Sequence, residues 1–174
     1  MEFWTRTRYT KIMKKSIYVE TSIPSYLTAR PSRDVRTVAW QHITCQWWDE
    51  ARHHYQLYVS ELVRVEAVSG DPDAAERRIS ALEGIPELAI DTEIESLAEQ
   101  LISGGAVPSS AVADALHIAI AAVHSVDYLL TWNYRHIDNA AAKPMMRSIC
   151  AVAGYTCPEI CTPLELLQEA SDDV

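Results

Sequence analysis

The most apolar stretch of the chain spans residues 113–137, and its pattern predicts a buried helix followed by a buried strand. Apolar residues run through the helix almost without interruption: Leu116, Ile118, Ala119, Ala122 and Val123. Residues 127–131 form a short apolar run, which is typical of a strand covered on both faces in a parallel sheet. Asp114 lies near the helix start and Asn133 just past the strand, where ligands bind in open α/β sheets.

Apolar segments elsewhere in the chain alternate between strand and helix patterns. Strands are predicted at residues 16–19, 57–59, 86–90 and around Ile160. Helices are predicted at residues 32–54, 61–69, 72–83, 92–103, from Pro108 onward, at 144–153 and at 162–167. Cap residues mark four of the helix starts: Ser32, Ser60, Asp71 before Pro72, and Thr92 with Glu95. The alternation predicts an α/β fold with a mainly parallel central sheet.

The longest predicted helix, at residues 32–54, carries a wide apolar and aromatic face. Its apolar residues recur at helical spacing, and two tryptophans broaden the stripe: Val35, Val38, Ala39, Ile43, Trp47 and Ala51, with Trp40 and Trp48. Such a face usually packs in the core, but it is also the kind of surface that binds a partner.

A length of 174 residues, nearly half of them apolar, fits one domain with a sizeable core. Residues 1–12 lack any pattern, and Met13 precedes two lysines and a strand. We therefore interpret residues 1–12 as a leader or tag-like segment outside the fold, and expect a single domain at residues 13–174. The first fifteen residues contain no secretory signal and no apolar run is long enough to span a bilayer, so we expect a cytoplasmic protein.

The formal net charge of −9 argues against a general basic surface for holding nucleic acid. It does not argue against a nuclease, because a catalytic acidic cluster itself adds negative charge. The four cysteines are expected to be reduced thiols in such a protein. Cys157 and Cys161 are spaced for metal binding, but no second cysteine pair of suitable spacing accompanies them.

Four polar residues occupy equivalent places in the predicted sheet: Glu20, Glu66, Asp114 and Asn133. If the strands are parallel neighbours, these residues converge at one edge of the sheet. Clustered carboxylates repel one another unless a cation binds them, and carboxylates with an amide oxygen are typical ligands of Mg²⁺ or Mn²⁺. Each acid alone is more often structural, and their shared location carries the argument. Asp127 precedes its strand, so we expect it at the opposite edge, as a loop or cap residue.

Other polar residues near this edge allow two interpretations each. Thr21, Ser22 and Thr131 can hydrogen-bond a phosphate or a carboxylate, or act as plain caps. His117 shares a helix face with Asp114 and can pack in the core or contact the site. Arg135 and His136 can neutralise a phosphate or be solvated loop residues. Trp132 can stack on a base or be buried beside the sheet.

Four segments resemble the PIN-domain ribonucleases, close to the VapC-type toxins of toxin–antitoxin pairs. They are YVETS at 18–22, LYVSELVRVEAVSG at 57–70, DALHIAIAA at 114–122 and DYLLTWNYRHI at 127–137. The resemblance implies a three-layer α/β/α PIN-like domain and a metal-dependent endoribonuclease that hydrolyses RNA. It assigns the catalytic roles to Glu20, Glu66, Asp114 and Asn133, with the three carboxylates holding Mg²⁺ or Mn²⁺. Thr21, Thr131, Arg135 and His136 are then candidate substrate-binding residues.

The resemblance also implies partners, namely single-stranded or structured RNA, a cognate antitoxin protein and a second copy of the chain. In this sequence Glu20 stands where the family usually has aspartate, and Asn133 is neutral where aspartate is frequent. A catalytically weak or inactive PIN module that binds RNA or a protein is therefore the alternative. A phosphatase with a nucleophilic aspartate is disfavoured because strand one ends in glutamate. A nucleotide-binding enzyme is disfavoured because no glycine-rich phosphate motif is present.

Overall fold

The computed structural model describes residues 14–172, with side chains described as far as residue 167. The leader predicted at residues 1–12 lies outside the described residues. Within the described part, none of the helices has the length and apolar character that crossing a bilayer requires.

Five parallel strands form one central sheet, as the alternating pattern predicts. They are β1 (Ser16–Val19), β2 (Gln56–Ser60), β3 (Glu87–Leu88), β4 (Tyr128–Leu130) and β5 (Glu159–Cys161), in the spatial order β3-β2-β1-β4-β5. Ile17 in β1 pairs with Leu57 on one side and with Tyr128 on the other. The strand order therefore reverses between β1 and β4, and such a switch point opens a crevice at the carboxyl ends of the two strands.

Eight α-helices in residues 14–172 cover the two faces of the sheet and give a three-layer α/β/α fold. They are α1 (Ser22–Thr28), α2 (Val35–Gln46), α3 (Glu61–Ala67), α4 (Pro72–Ala81), α5 (Thr92–Ser103), α6 (Val112–Val123), α7 (Lys143–Val152) and α8 (Pro163–Asp172). Helix α5 packs against α6 and α7, whereas α1 packs against α2 and α4, and α8 against α2. The expected fold class is confirmed.

The centre of the core is formed by β1, β4 and α6. The residues of β1 from Ile17 to Val19 are completely buried, and so are Leu129 and Leu130 in β4. Helix α6 is buried over most of its surface, as its apolar pattern predicts. Two elements that carry candidate site residues are thus held rigidly by the apolar core.

The helix predicted at residues 32–54 is shorter and is not uniform. Asp34, not Ser32, caps α2, because its side chain accepts a hydrogen bond from the backbone N–H of Thr37. After Gln46 the chain widens into a π-helical segment (Trp47–Ala51) and then a 3₁₀ turn (Arg52–His54). Val35 and Val38 are 82% and 42% exposed, so the first turn of the apolar stripe does not face the core.

Three smaller predictions of element boundaries are also wrong. Strand β3 has only two residues instead of the five predicted at 86–90. Asp91, not Thr92, caps α5, since its extended backbone lets its carboxylate accept from two N–H groups at the helix start. Helix α6 begins at Val112 and not at Pro108, because residues 108–111 form a turn first. Asp114 therefore lies in the first turn of α6.

Candidate functional site

The carboxyl edge of the sheet brings the predicted site residues to one side of the molecule. Glu20 directly follows β1, and Thr131 directly follows β4. Glu66 lies near the end of α3, the helix that follows β2 in the chain. Asp114 lies in the first turn of α6 and Asn133 lies two residues beyond Thr131. The parallel direction of β1, β2 and β4 is the reason that these positions share an edge.

Glu20 is a buried carboxylate, 6% exposed, that is held through one of its two oxygens. Its Oε2 accepts hydrogen bonds from the backbone N–H of Ser22 at 3.1 Å, the hydroxyl of Ser22 and the hydroxyl of Thr131 at 2.7 Å. Within the described part of the chain, no residue donates a hydrogen bond to its second oxygen, Oε1. Ser22 and Thr131 therefore contact a carboxylate, which was one of the alternatives predicted for them.

Glu66 is half-buried and is also held through Oε2. Thr21 donates its hydroxyl hydrogen to this oxygen, and Nε2 of His117 lies 3.0 Å from it. Burial alone raises the pKa of Glu66, but the hydrogen bonds from His117 and Thr21 and the charge of His117 outweigh burial and hold the pKa below its ordinary value. Glu66 is therefore an anion at neutral pH.

His117 is the site residue whose role the sequence left undecided. It is 1% exposed, and its Nδ1 lies 2.9 Å from the hydroxyl of Tyr18, which lies 2.7 Å from the hydroxyl of Ser60. Burial raises the pKa of Tyr18, so this phenol stays protonated. Because ionised Glu66 only accepts, Nε2 of His117 donates to it. His117 thus contacts the site as well as packing in the core.

Glu20, Glu66 and His117 form the one group of potential metal ligands found in residues 14–167. One ligand atom from each residue lies within 4.8 Å of the other two. The two carboxylates suit Mn²⁺ or Mg²⁺, which both bind carboxylate oxygens. Nε2 of His117 keeps its hydrogen while it donates to Glu66, so it orients this carboxylate and has no lone pair for an ion. The two glutamates therefore fit a divalent cation, and His117 contacts this group by orienting Glu66, which was one of the two alternatives predicted for it.

Asp114 and Asn133 come together at the same edge but in a separate hydrogen-bonded group. Asn133 donates its amide hydrogen to Oδ1 of Asp114 at 3.0 Å, and Nδ1 of His136 lies 2.7 Å from Oδ2. The backbone N–H of His136 also donates to the side-chain oxygen of Asn133. Both oxygens of Asp114 are thus engaged, and Asp114 is not a member of the 4.8 Å group with Glu20 and Glu66.

Cations are scarce at this edge. Among the described lysines and arginines, none forms an ion pair with Glu20, Glu66 or Asp114, which contact only histidines, hydroxyls, an amide and backbone N–H groups. Asp127 lies at the amino edge of the sheet, as expected, where Ser16 and Lys15 contact it. The carboxyl edge therefore concentrates negative charge that Lys and Arg do not offset.

The remaining predicted residues lie beside the acidic site, by which we mean Glu20, Glu66 and Asp114. Arg135 is exposed, whereas Trp132 is buried and donates its indole hydrogen to Thr44 at 2.7 Å. Trp132 therefore packs beside the sheet and does not offer a free face for a base. Cys157 and Cys161 are free thiols and belong to no group of metal ligands in the described part.

Comparisons with known proteins do not identify a relative of this chain. The chain matches no protein-family model, no curated protein and no solved structure.

Proposed function

We propose that the chain is a metal-dependent endoribonuclease that hydrolyses phosphodiester bonds of RNA. The observation that carries this proposal is the convergence of Glu20, Glu66 and His117 within 4.8 Å at the switch point of a parallel sheet, with no lysine or arginine of the described part paired to them. Anions held this close favour binding of a divalent cation, Mn²⁺ or Mg²⁺. Such a cation supplies the activation of water and the charge compensation that phosphodiester hydrolysis needs.

The residues around the acids prepare them for that role. Ser22 and Thr131 fix Glu20, and Thr21 and His117 fix Glu66, each through Oε2, which leaves Oε1 of both carboxylates for an ion. Holding the ligands in advance lowers the cost of ordering them on binding. A role for Asp114 as a third carboxylate ligand remains a prediction, since Asn133 and His136 engage both of its oxygens.

Cleavage of a labelled single-stranded RNA by the purified chain tests the proposal. We expect cleavage with Mn²⁺ or Mg²⁺ and none with a chelator. Glu66→Gln should lower the rate more than about a hundredfold, since even outer partners of metal ligands are worth ~10–100-fold. Asp127→Asn is the matched control at the amino edge and should cleave within about twofold of wild type, which is the ordinary scatter for a surface change.

The second candidate is a PIN-like module that binds RNA or a protein without cleaving. The engagement of both Asp114 oxygens, together with glutamate at position 20, favours it. Metal-independent binding of RNA without any cleavage by wild type would select this candidate over the ribonuclease. Equal cleavage by wild type and Glu66→Gln would instead indicate a contaminating nuclease and contradict the proposal.

The resemblance to toxins supports a cytoplasmic protein that binds a cognate antitoxin and forms a homodimer. The first turn of α2 leaves Val35 and Val38 exposed, and this face is where we place the antitoxin. Light scattering of the purified chain should give twice the chain mass, and a strict monomer at tens of micromolar would contradict the dimer. Glu66→Lys should weaken an antitoxin whose basic side chain enters the acidic site, whereas Asp127→Lys at the amino edge should not.

A further inference from the structure

An open cavity of about 420 Å³ lies next to the Asp114–His136 pair. Its walls are formed by Ile102 and residues 105–109 on one side, and by Arg135, His136, Asn139 and Ala142 on the other. A space of this size falls within the ~300–1,000 Å³ of sites that hold small organic molecules. Its lining combines an apolar wall, formed mainly by Pro108 and Ala142, with a polar wall formed by Arg135, His136 and Asn139.

Arg135 gives the polar wall a cation without an acidic partner. No carboxylate lines the cavity, and within the described chain the guanidinium of Arg135 forms no ion pair. Two basic residues of α7, which do not line the cavity, are paired: Lys143 with Asp138 and Arg147 with Glu159. The cavity thus offers a positive charge to an anion in a chain whose formal net charge is −9.

The backbone around the cavity is held by specific hydrogen bonds. Gly105 has φ +77°, a conformation that favours glycine, and it reverses the chain after α5. The N–H groups of Ala106 and Val107 then both donate to the carbonyl of Leu101. On the opposite wall the side chain of Asn139 donates to the carbonyl of Arg135 and accepts from the N–H of Ala141. Both walls are therefore preformed.

His136 connects the cavity to Asp114, which lies at the same edge of the sheet as Glu20 and Glu66. Its ring lines the cavity, while its Nδ1 lies 2.7 Å from Oδ2 of Asp114. A molecule in the cavity would therefore lie against the imidazole that contacts the first turn of α6. An RNA strand that runs along this edge of the sheet therefore passes the cavity on the side of Asp114.

We propose that this cavity binds one nucleotide of the RNA strand beside the phosphodiester that is cleaved, an inference that rests on the proposed ribonuclease function. Arg135 binds the phosphate of this nucleotide, and the apolar wall at Pro108 and Ala142 contacts the face of its base. An acidic peptide would satisfy Arg135 but would leave the apolar wall without a planar group to cover it. A nucleotide uses both walls.

Titration calorimetry with the four ribonucleoside 5′-monophosphates, in metal-free buffer with a chelator, tests this subsite. We expect binding to wild type, and binding weakened about tenfold in Arg135→Gln, which is the usual cost of losing one charge-assisted phosphate contact. Ala142→Phe should also abolish binding by filling the cavity. Arg147→Gln removes the same charge away from the cavity and should bind like wild type. Inorganic phosphate should bind more weakly than any nucleotide.

The outcomes separate the subsite from the proposed function. Glu66→Gln should bind nucleotides normally although it does not cleave RNA. If wild type itself binds nucleotides but cleaves no RNA, the subsite is supported and the ribonuclease proposal is overturned. Cleavage that depends on Glu66, without nucleotide binding, overturns the subsite alone. Equal affinity for inorganic phosphate and nucleotides, or an equal loss in Arg147→Gln, also overturns it. Binding of a glutamate-rich peptide that depends on Arg135, with no nucleotide binding, would assign the cavity to a protein partner instead.

Discussion

Acidic side chains lie at both edges of the same parallel sheet, but their neighbours differ. At the amino edge, Asp127 accepts from the N–H and the hydroxyl of Ser16 at 2.8 and 2.7 Å and pairs with Lys15 at 3.5 Å. The N–H of Asp127 donates back to the hydroxyl of Ser16. At the carboxyl edge, Glu20 and Glu66 lie close together and receive hydrogen bonds without any lysine or arginine.

The difference shows what separates a structural acid from a candidate functional one. Asp127 is balanced by a cation and ties the starts of β1 and β4 together. Glu20 and Glu66 accept hydrogen bonds as Asp127 does, so hydrogen bonding alone does not distinguish them from this structural acid. What distinguishes the carboxyl edge is like charge held at short range, which costs stability unless a ligand offsets it.

The largest difference between variants at the two edges should be in the rise in Tm that a bound metal causes. At a Mn²⁺ concentration about a hundredfold above the Kd, binding stabilises wild type by about 2.7 kcal/mol, which for a chain of this size raises Tm by roughly 5–10 °C. Asp127→Asn should show the same rise, and Glu66→Gln should show almost none. Differential scanning calorimetry measures all three, and an equal rise in Glu66→Gln would place the ion elsewhere.

Removing one charge without metal should change stability in opposite directions at the two edges. Glu20→Gln keeps an oxygen that accepts from Ser22 and Thr131, although these hydrogen bonds lose their charge assistance. We expect the relief of repulsion with Glu66 to be the larger effect, so Tm should rise by about 2–4 °C. Asp127→Asn loses charge-assisted hydrogen bonds and the ion pair, so Tm should fall by about 1–3 °C. Thermal unfolding in chelator checks both signs, and a fall in Glu20→Gln would contradict the surplus of charge at the carboxyl edge.

The pH dependence of Asp127 gives the smallest effect. Burial raises its pKa, but the hydrogen bonds from Ser16 and the charge of Lys15 outweigh burial, so the folded-state pKa lies below its ordinary value. The stabilisation is thus complete above the unfolded pKa of about 3.9 and is lost as the pH falls through the folded pKa. The difference in unfolding free energy between wild type and Asp127→Asn, less than about 1 kcal/mol at pH 7, should shrink in this acid range. Urea titrations across the pH range measure it, and a constant difference would contradict this assignment.

The arrangement of the edges could be predicted from sequence because it depends only on strand direction. Glu20 follows a strand and Asp127 precedes one, so parallel pairing places them at opposite edges. The apolar run of α6 likewise predicts burial, because few polar residues interrupt it. These features need no knowledge of side-chain geometry.

Side-chain hydrogen bonds across distant elements could not be predicted in the same way. His117 contacts Tyr18 and Glu66, which are 99 and 51 residues away in sequence, and spacing along a helix does not say which ring nitrogen meets which partner. A histidine within an otherwise apolar helical run is the signal that could have marked it. The pairing of Asp114 with His136 depends equally on rotamers that the sequence does not specify.

The end of the helix predicted at 32–54 shows a second limit. Trp47 and Trp48 are both buried, although adjacent residues lie about 100° apart around an α-helix. The π-helical segment changes this spacing where both rings pack against the core. Such a local widening satisfies tertiary packing, which periodicity analysis over one helix does not include.

The position of β1 at the centre of the sheet has a consequence for the order of events during synthesis. β1 is made first, but its partner β4 follows much later, and contacts such as Thr131 with Glu20 join residues 111 positions apart. Pairing at this separation requires closing a long loop, which slows folding. A ribosome must therefore release Thr131 from its exit tunnel before the environment of Glu20 is complete.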